Sequence, residues 1–317
     1  MIPEPGTGAP EGPRARVVMF VAGGPIALEA LGAVAARHTV ALVVRPGPAP
    51  TMGWSWRRTA GRVVRALGLR AADPVVTWAR ERGIPTFTMP RARTPDALDP
   101  LRAARADVAA IATWPRRLTG DVRQSAAPIC LNTHSSLLPR HRGAGALFWM
   151  YHAGDASGGV TVHEAADALD AGDIFAQVQT PIARGESLIA VHARCAALGG
   201  VLLADAIDAV AHARSHAIPQ DAAAATHAPA VRERVVRSQL ASWDAAHAWH
   251  FLAGVLPVYR DPLIDADGKP VPYGSVEGFE VRDPQQLPGT VHRSGSGWNA
   301  WTRDGLVRLA PGVTPHR

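Results

Sequence analysis

The residues best suited to chemistry stand at the end of a short apolar run, Ile129-Cys130-Leu131, which leads straight into Asn132 and His134. Their spacing turns both side chains to the same face of an extended chain. An amide beside an imidazole can hold the oxyanion formed when a carbonyl is attacked, so the pair suits acyl transfer. The plain alternative is an Asn that closes a turn next to a structural His. Downstream, VTVHEAADALDAGDIF supplies Asp167, Asp170 and Asp173. A carboxylate beside a histidine favours its charged form, orients the ring and can take a proton from an attacking amine. A solvated turn explains the same three acids equally well, and spacing does not choose among them.

Other chemistries find little support. Gly23-Gly24 follows an apolar run but is not GxGxxG and lacks an acidic residue about 20 positions on, so a nicotinamide site is not expected. No GxSxG surrounds Ser135 or Ser136, and there is no HExxH. Asp265 to Gly268 lacks the closing acid of an EF-hand and reads as a hairpin turn. His247 and His250 on one helix read as packing residues before they read as metal ligands. No metal is expected. Cys130 and Cys195 lie in apolar surroundings without metal spacing and read as small buried residues of a reduced, cytoplasmic protein. The net charge of +6 invites nucleic acid, but Lys269 is the only lysine, and arginine among abundant Ala, Gly and Pro reflects a composition bias.

The elements that must position these groups follow from patterning. From Arg16 on, apolar runs at 17–22, 39–44, 84–88, 107–112 and 129–131 alternate with helical stretches at 26–37, 74–83 and 95–105. That alternation predicts an α/β fold with a parallel, doubly wound sheet, whose ligands bind at the carboxyl ends of strands. Two strands, 159–164 and 174–181, and a long Ala/Leu-rich helix from about 187 to 213 complete the first domain. Residues 1–15 read as a disordered tail, 16–213 as the catalytic domain, 214–231 as a linker with little to bury, and 232–317 as a mostly-β domain punctuated by turn signals. No run of about 18 apolar residues occurs, so no membrane span is expected.

The stretch 131–143, Gly154-Asp155, 159–163 and 169–173 together resemble the folate-dependent formyltransferase family. Its signature is Asn-x-His closing a strand, then Ser-Leu-Leu-Pro, Arg-Gly, Gly-Asp, a Gly-Val/Thr stretch and Leu-Asp-x-Gly, all present here in order. The resemblance is closest to members that formylate methionyl-tRNA. It implies a mostly parallel, Rossmann-like catalytic domain followed by a small OB-like β domain. It also implies that Asn132, His134 and Asp170 are catalytic, that Ser136, Leu137, Leu138 and Pro139 line the tetrahydrofolate site, and that 10-formyltetrahydrofolate is the formyl donor.

The acceptor amine is less closely specified. Residues 45–70 form a Pro/Gly loop and a basic amphipathic stretch in which Arg57, Arg58 and Arg62 could meet tRNA phosphates, with Trp54 and Trp56 available for stacking. A solvated helix covering the sheet is the alternative. His141 stands where an aromatic Trp is common in tRNA-acting members, and Ala144 to Trp149 also departs from their pattern. The expected acceptor is the amino group of methionyl-tRNA; a small-molecule amine, water, or a non-catalytic folate- or RNA-binding role are the alternatives.

Overall fold

The structure is a computed structural model that describes residues 12–47, 73–90, 94–231, 238–256, 258–259 and 263–312. Strand β1 (Arg16–Val21) is apolar from its second residue, and Val17 to Val21 are fully buried, as a strand covered on both faces requires. It pairs in parallel with β2 (Thr39–Pro46) and β4 (Val108–Ala112). In parallel too, β3 (Thr86–Met89) joins β2 and β5 (Ile129–His134) joins β4. With β6 (Ser157–Glu164) and β7 (Ile174–Pro181) they form a seven-stranded sheet in the order β3-β2-β1-β4-β5-β6-β7. The sheet is mostly parallel, as expected, and the β5–β6 pairing is its antiparallel member.

The sequence places the end of β5 at Leu131, yet the strand continues to His134. Pairing with β4 stops at Ile111↔Asn132, but β6 carries the ladder on through Asn132↔His163, Thr133↔Val162 and His134↔Thr161. An antiparallel neighbour from later in the chain therefore holds the two polar residues inside the strand.

Helices α1 (Pro25–Arg37) and α2 (Pro74–Glu81) each begin on a proline, whose missing N–H costs nothing in a first turn. The Asp73 carboxylate caps α2 by accepting from the Val75 amide at 3.0 Å. The helix expected over 95–105 is broken into a 3₁₀ turn (Pro95–Leu98) and α3 (Asp99–Ala103). Pro100 has no N–H to continue a helix begun upstream, so a new one starts there. Then come α4 (Gly120–Ala126), α5 (Ala146–Ala153), α6 (Leu188–Ala211) and α7 (Ala245–Val255). Strands β8 (Tyr273–Val281), β9 (Val291–Ser294), β10 (Gly297–Thr302) and β11 (Gly305–Pro311) form an antiparallel sheet ordered β8-β11-β10-β9, with Ala300, Trp301, Leu306, Val307 and Leu309 buried.

Contacts divide the chain into two compact units, Met1–Pro139 with Val160–Val178 and Cys195–Ala225, and Arg140–Gly159 with Gln179–Arg194 and Thr226–Arg317. The division cuts across the boundaries read from composition. The expected tail is ordered by its end: Ala15 is buried, and its carbonyl accepts from the Thr39 amide at 2.8 Å. Within the expected linker, Ala228 alone is buried, and it is tied down by donating to the Arg142 carbonyl at 2.7 Å and accepting from the Gly145 amide at 3.0 Å. Helix α6 is long and apolar enough to cross a membrane by length and composition, but half of that stretch is buried in the fold. Gly199 packs on Thr133 and Val160, and Arg37 pairs with Asp205.

Candidate active site

Asn132 and His134 face β6, and the register sets His163 directly opposite Asn132. The His163 ring is almost wholly buried, and its Nδ1 lies 2.8 Å from the Glu164 carbonyl oxygen. A carbonyl only accepts, so Nδ1 carries the proton and Nε2 presents a lone pair. That lone pair accepts from the Asn132 Nδ2 at 3.0 Å, which orients the amide with its nitrogen toward His163. The second Nδ2 proton faces Asp170 Oδ1 at 3.4 Å, the long edge of hydrogen bonding, so little is lost in giving it to an oxyanion.

Asp170 gathers the site. Its carboxylate lies 3.6 Å from His134 Nδ1 and 3.6 Å from His163 Nε2, with side-chain exposure of 9%. Its backbone is in the left-handed region at φ 50°, and the Gln220 amide holds the turn by donating to the Asp170 and Gly172 carbonyls at 2.9 and 2.7 Å. Gly172 is required by proximity: a Cβ there would lie 2.1 Å from the Glu164 carbonyl oxygen at the end of β6. The loop that carries Asp170 is thus pressed onto the strand that carries His163. Asp167, by contrast, is exposed and tied to Arg123 at 2.7 Å, and that guanidinium holds its carboxyl below the usual range. Of the three acids left open by spacing, Asp170 is the one brought to Asn132 and His134.

Ser136 and Leu138 are buried, while Leu137 and Pro139 are half-buried. The backbone of this segment is fixed by Thr161, whose hydroxyl donates to the Ser136 carbonyl at 2.6 Å and accepts from the Leu138 amide at 3.1 Å. Gln177 donates to the Leu138 carbonyl at 2.9 Å. Ser136 and Leu138 are thus packed inward, while Leu137 and Pro139 leave apolar surface accessible. Arg57, Arg58 and Arg62, with Trp54 and Trp56, lie outside the described residues. Among the described residues no cluster of His, Cys, Asp and Glu is arranged to hold a metal ion. Burial pushes the Cys130 thiol up to about 12, which leaves it inert behind the site.

Sequence reasoning missed His163 as a site residue. The signal was the polar His inside the apolar VTVHE strand, legible only once β6 is paired antiparallel to β5.

Comparison with known proteins identifies similar chains. The chain is 35% identical over 158 residues to a methionyl-tRNA formyltransferase of Akkermansia muciniphila, a match that spans 50% of this chain and only half of that relative's length. To the methionyl-tRNA formyltransferase of Pseudomonas paraeruginosa it is 34% identical over 229 residues, covering 68% of this chain and 72% of the relative. Its fold matches the N-formyltransferase of Helicobacter canadensis, solved with folinic acid and dTDP-3-aminofucose, with a TM-score of 0.66 and 12% identity over 94% of this chain and 99% of that one. The formyl transferase family model matches residues 15–207, more than half of the chain and the segment that carries Asn132, His134, His163 and Asp170. On that match, the chain belongs to the formyl transferase family.

Proposed function

We propose that this enzyme transfers the formyl group of 10-formyltetrahydrofolate to a primary amine, and that the amine is the amino group of methionyl-tRNA. The observation that carries the reading is the convergence of Asn132, His134 and His163 on the Asp170 carboxylate. The relatives named as methionyl-tRNA formyltransferases support formyl transfer and this acceptor. Leu137 and Pro139 offer apolar surface just beyond His134, which suits a flat conjugated ring system such as the donor carries.

In this mechanism the amine nitrogen adds to the formyl carbon and the carbonyl oxygen becomes an oxyanion. Asn132 gives it the N–H not committed to His163, and the His134 imidazolium gives a second hydrogen bond. Asp170 stabilises that imidazolium and takes the proton released by the amine, directly or through water. Collapse then breaks the bond to the folate nitrogen, which leaves with a proton relayed by His134. Preorganised donors of this kind are each worth about 2.7–4 kcal/mol of barrier.

A small-molecule amine is the second reading, favoured by one local feature. His141, where tRNA-acting members commonly have Trp, is buried with φ 58° and bonded through Nε2 to Asp155 at 2.7 Å. The test follows folate release from 10-formyltetrahydrofolate with no acceptor, with methionyl-tRNA and with amino sugars. Release that requires methionyl-tRNA is expected. Release driven by an amino sugar alone would shift the acceptor, and release without any acceptor would make the reaction a hydrolysis.

A further inference from the structure

The second compact unit holds a cavity of about 190 Å³ formed by the turn after α5, the segment after β7 and the first turn of α7. None of the residues argued to act in formyl transfer lines it. Its donors are unusual in being uncommitted. His250 is 5% exposed and stacks on Tyr151 with ring centroids 4.7 Å apart. Its Nδ1 accepts from the Gly185 amide at 3.1 Å, so the proton of the neutral ring sits on Nε2, for which no partner exists among the described residues. Burial, with some help from His247 and Arg184, lowers this histidine to about 4, so the neutral donor form persists at neutral pH.

Two further donors share the cavity. Arg184 is exposed and makes no ion pair among the described residues. The Ala246 amide, in the first turn of the 11-residue α7, also has no acceptor among them. Partial positive charge at a helix start and free N–H groups favour an anion. The two carboxylates in the wall do not cancel this. Asp155 is bonded to Arg140 at 2.8 Å and to His141 at 2.7 Å. Asp244 spends Oδ1 on the His247 amide at 2.7 Å and turns Oδ2 toward Arg303 at 3.8 Å.

We propose that this cavity is a binding site for a phosphate-type oxyanion, held by the Arg184 guanidinium, the His250 Nε2–H and the Ala246 amide. Three donors from two separate segments match the several oxygens of a tetrahedral anion, and the volume leaves room for an organic substituent on it. The probe is inorganic phosphate, titrated into the full-length protein at constant ionic strength and followed by ³¹P line broadening and calorimetry, with acetate as the carboxylate arm. Saturable phosphate binding is expected, weakened about tenfold or more in Arg184→Ala and partly restored in Arg184→Lys. Arg184 is exposed, so these variants keep the fold, which circular dichroism checks. Absence of saturable binding, undiminished binding in Arg184→Ala, or a preference for acetate over phosphate would overturn the proposal.

Discussion

At the scale of single residues, the central feature is how one tautomer orients one amide. His163 donates through Nδ1 to the Glu164 carbonyl, so only its Nε2 lone pair faces Asn132, and the Asn132 nitrogen is turned inward. Asn132→Ala is expected to lower kcat by roughly a hundred- to a thousandfold with folate affinity nearly unchanged, since one oxyanion donor is lost. His163→Phe keeps volume and burial but removes the acceptor. It is expected to lower kcat by about three- to tenfold, the worth of one buried hydrogen bond, with KM for the folate unaltered. Steady-state kinetics on both variants separate the two effects. Asn132 and His134 were legible as a pair because extended spacing of two fixes a common face. Asp170 could be chosen from its two acidic neighbours only through family resemblance, because the choice depends on a turn pressed onto another strand. His163 was illegible without the β5–β6 register.

At the scale of elements, the loop between β6 and β7 does the positioning. Gly172 admits the Glu164 carbonyl where any Cβ would collide, and Gln220 bridges two carbonyls of the same turn. Gly172→Ala is expected to cost about 1–3 kcal/mol of stability by overpacking and to lower kcat as Asp170 shifts. Thermal melting with kinetics reads both; an unchanged Tm and kcat would mean the loop relaxes freely. Apolar runs placed the strands of the sheet well, since a strand buried on both faces must be continuously apolar. What the pattern hid was of three kinds. The extension of β5 depends on a partner from later in the chain, and the break at Pro100 on a single missing N–H. The ordering of residues 226–228 depends on backbone bonds to Arg142 and Gly145, which no composition records.

At the scale of the whole molecule, buried neutral histidines set the response to acid. Burial lowers both His38 and His250 below their ordinary value of 6.5, the latter to about 4. Each takes up a proton more readily unfolded than folded, so stability is full above about pH 6.5 and falls as pH drops toward 4. Melting curves should show a lower Tm at about pH 5 than at about pH 7, and His250→Gln should flatten that difference. The family and the fold class followed from an ordered set of short motifs, because those motifs are the turns and strand ends that build the site. The acceptor did not, because Arg57, Arg58 and Arg62 are defined by charge alone, and charge on a surface names no partner. The roles of Asn132 and Asp170 are measured most directly by single-turnover transfer of labelled formyl from 10-formyltetrahydrofolate, comparing the wild type with Asn132→Ala and Asp170→Asn. Formylated methionyl-tRNA should accumulate with the wild type and fall by at least about a hundredfold in both variants while folate still binds. Transfer at the wild-type rate in either variant would contradict the assignment of these residues to the reaction.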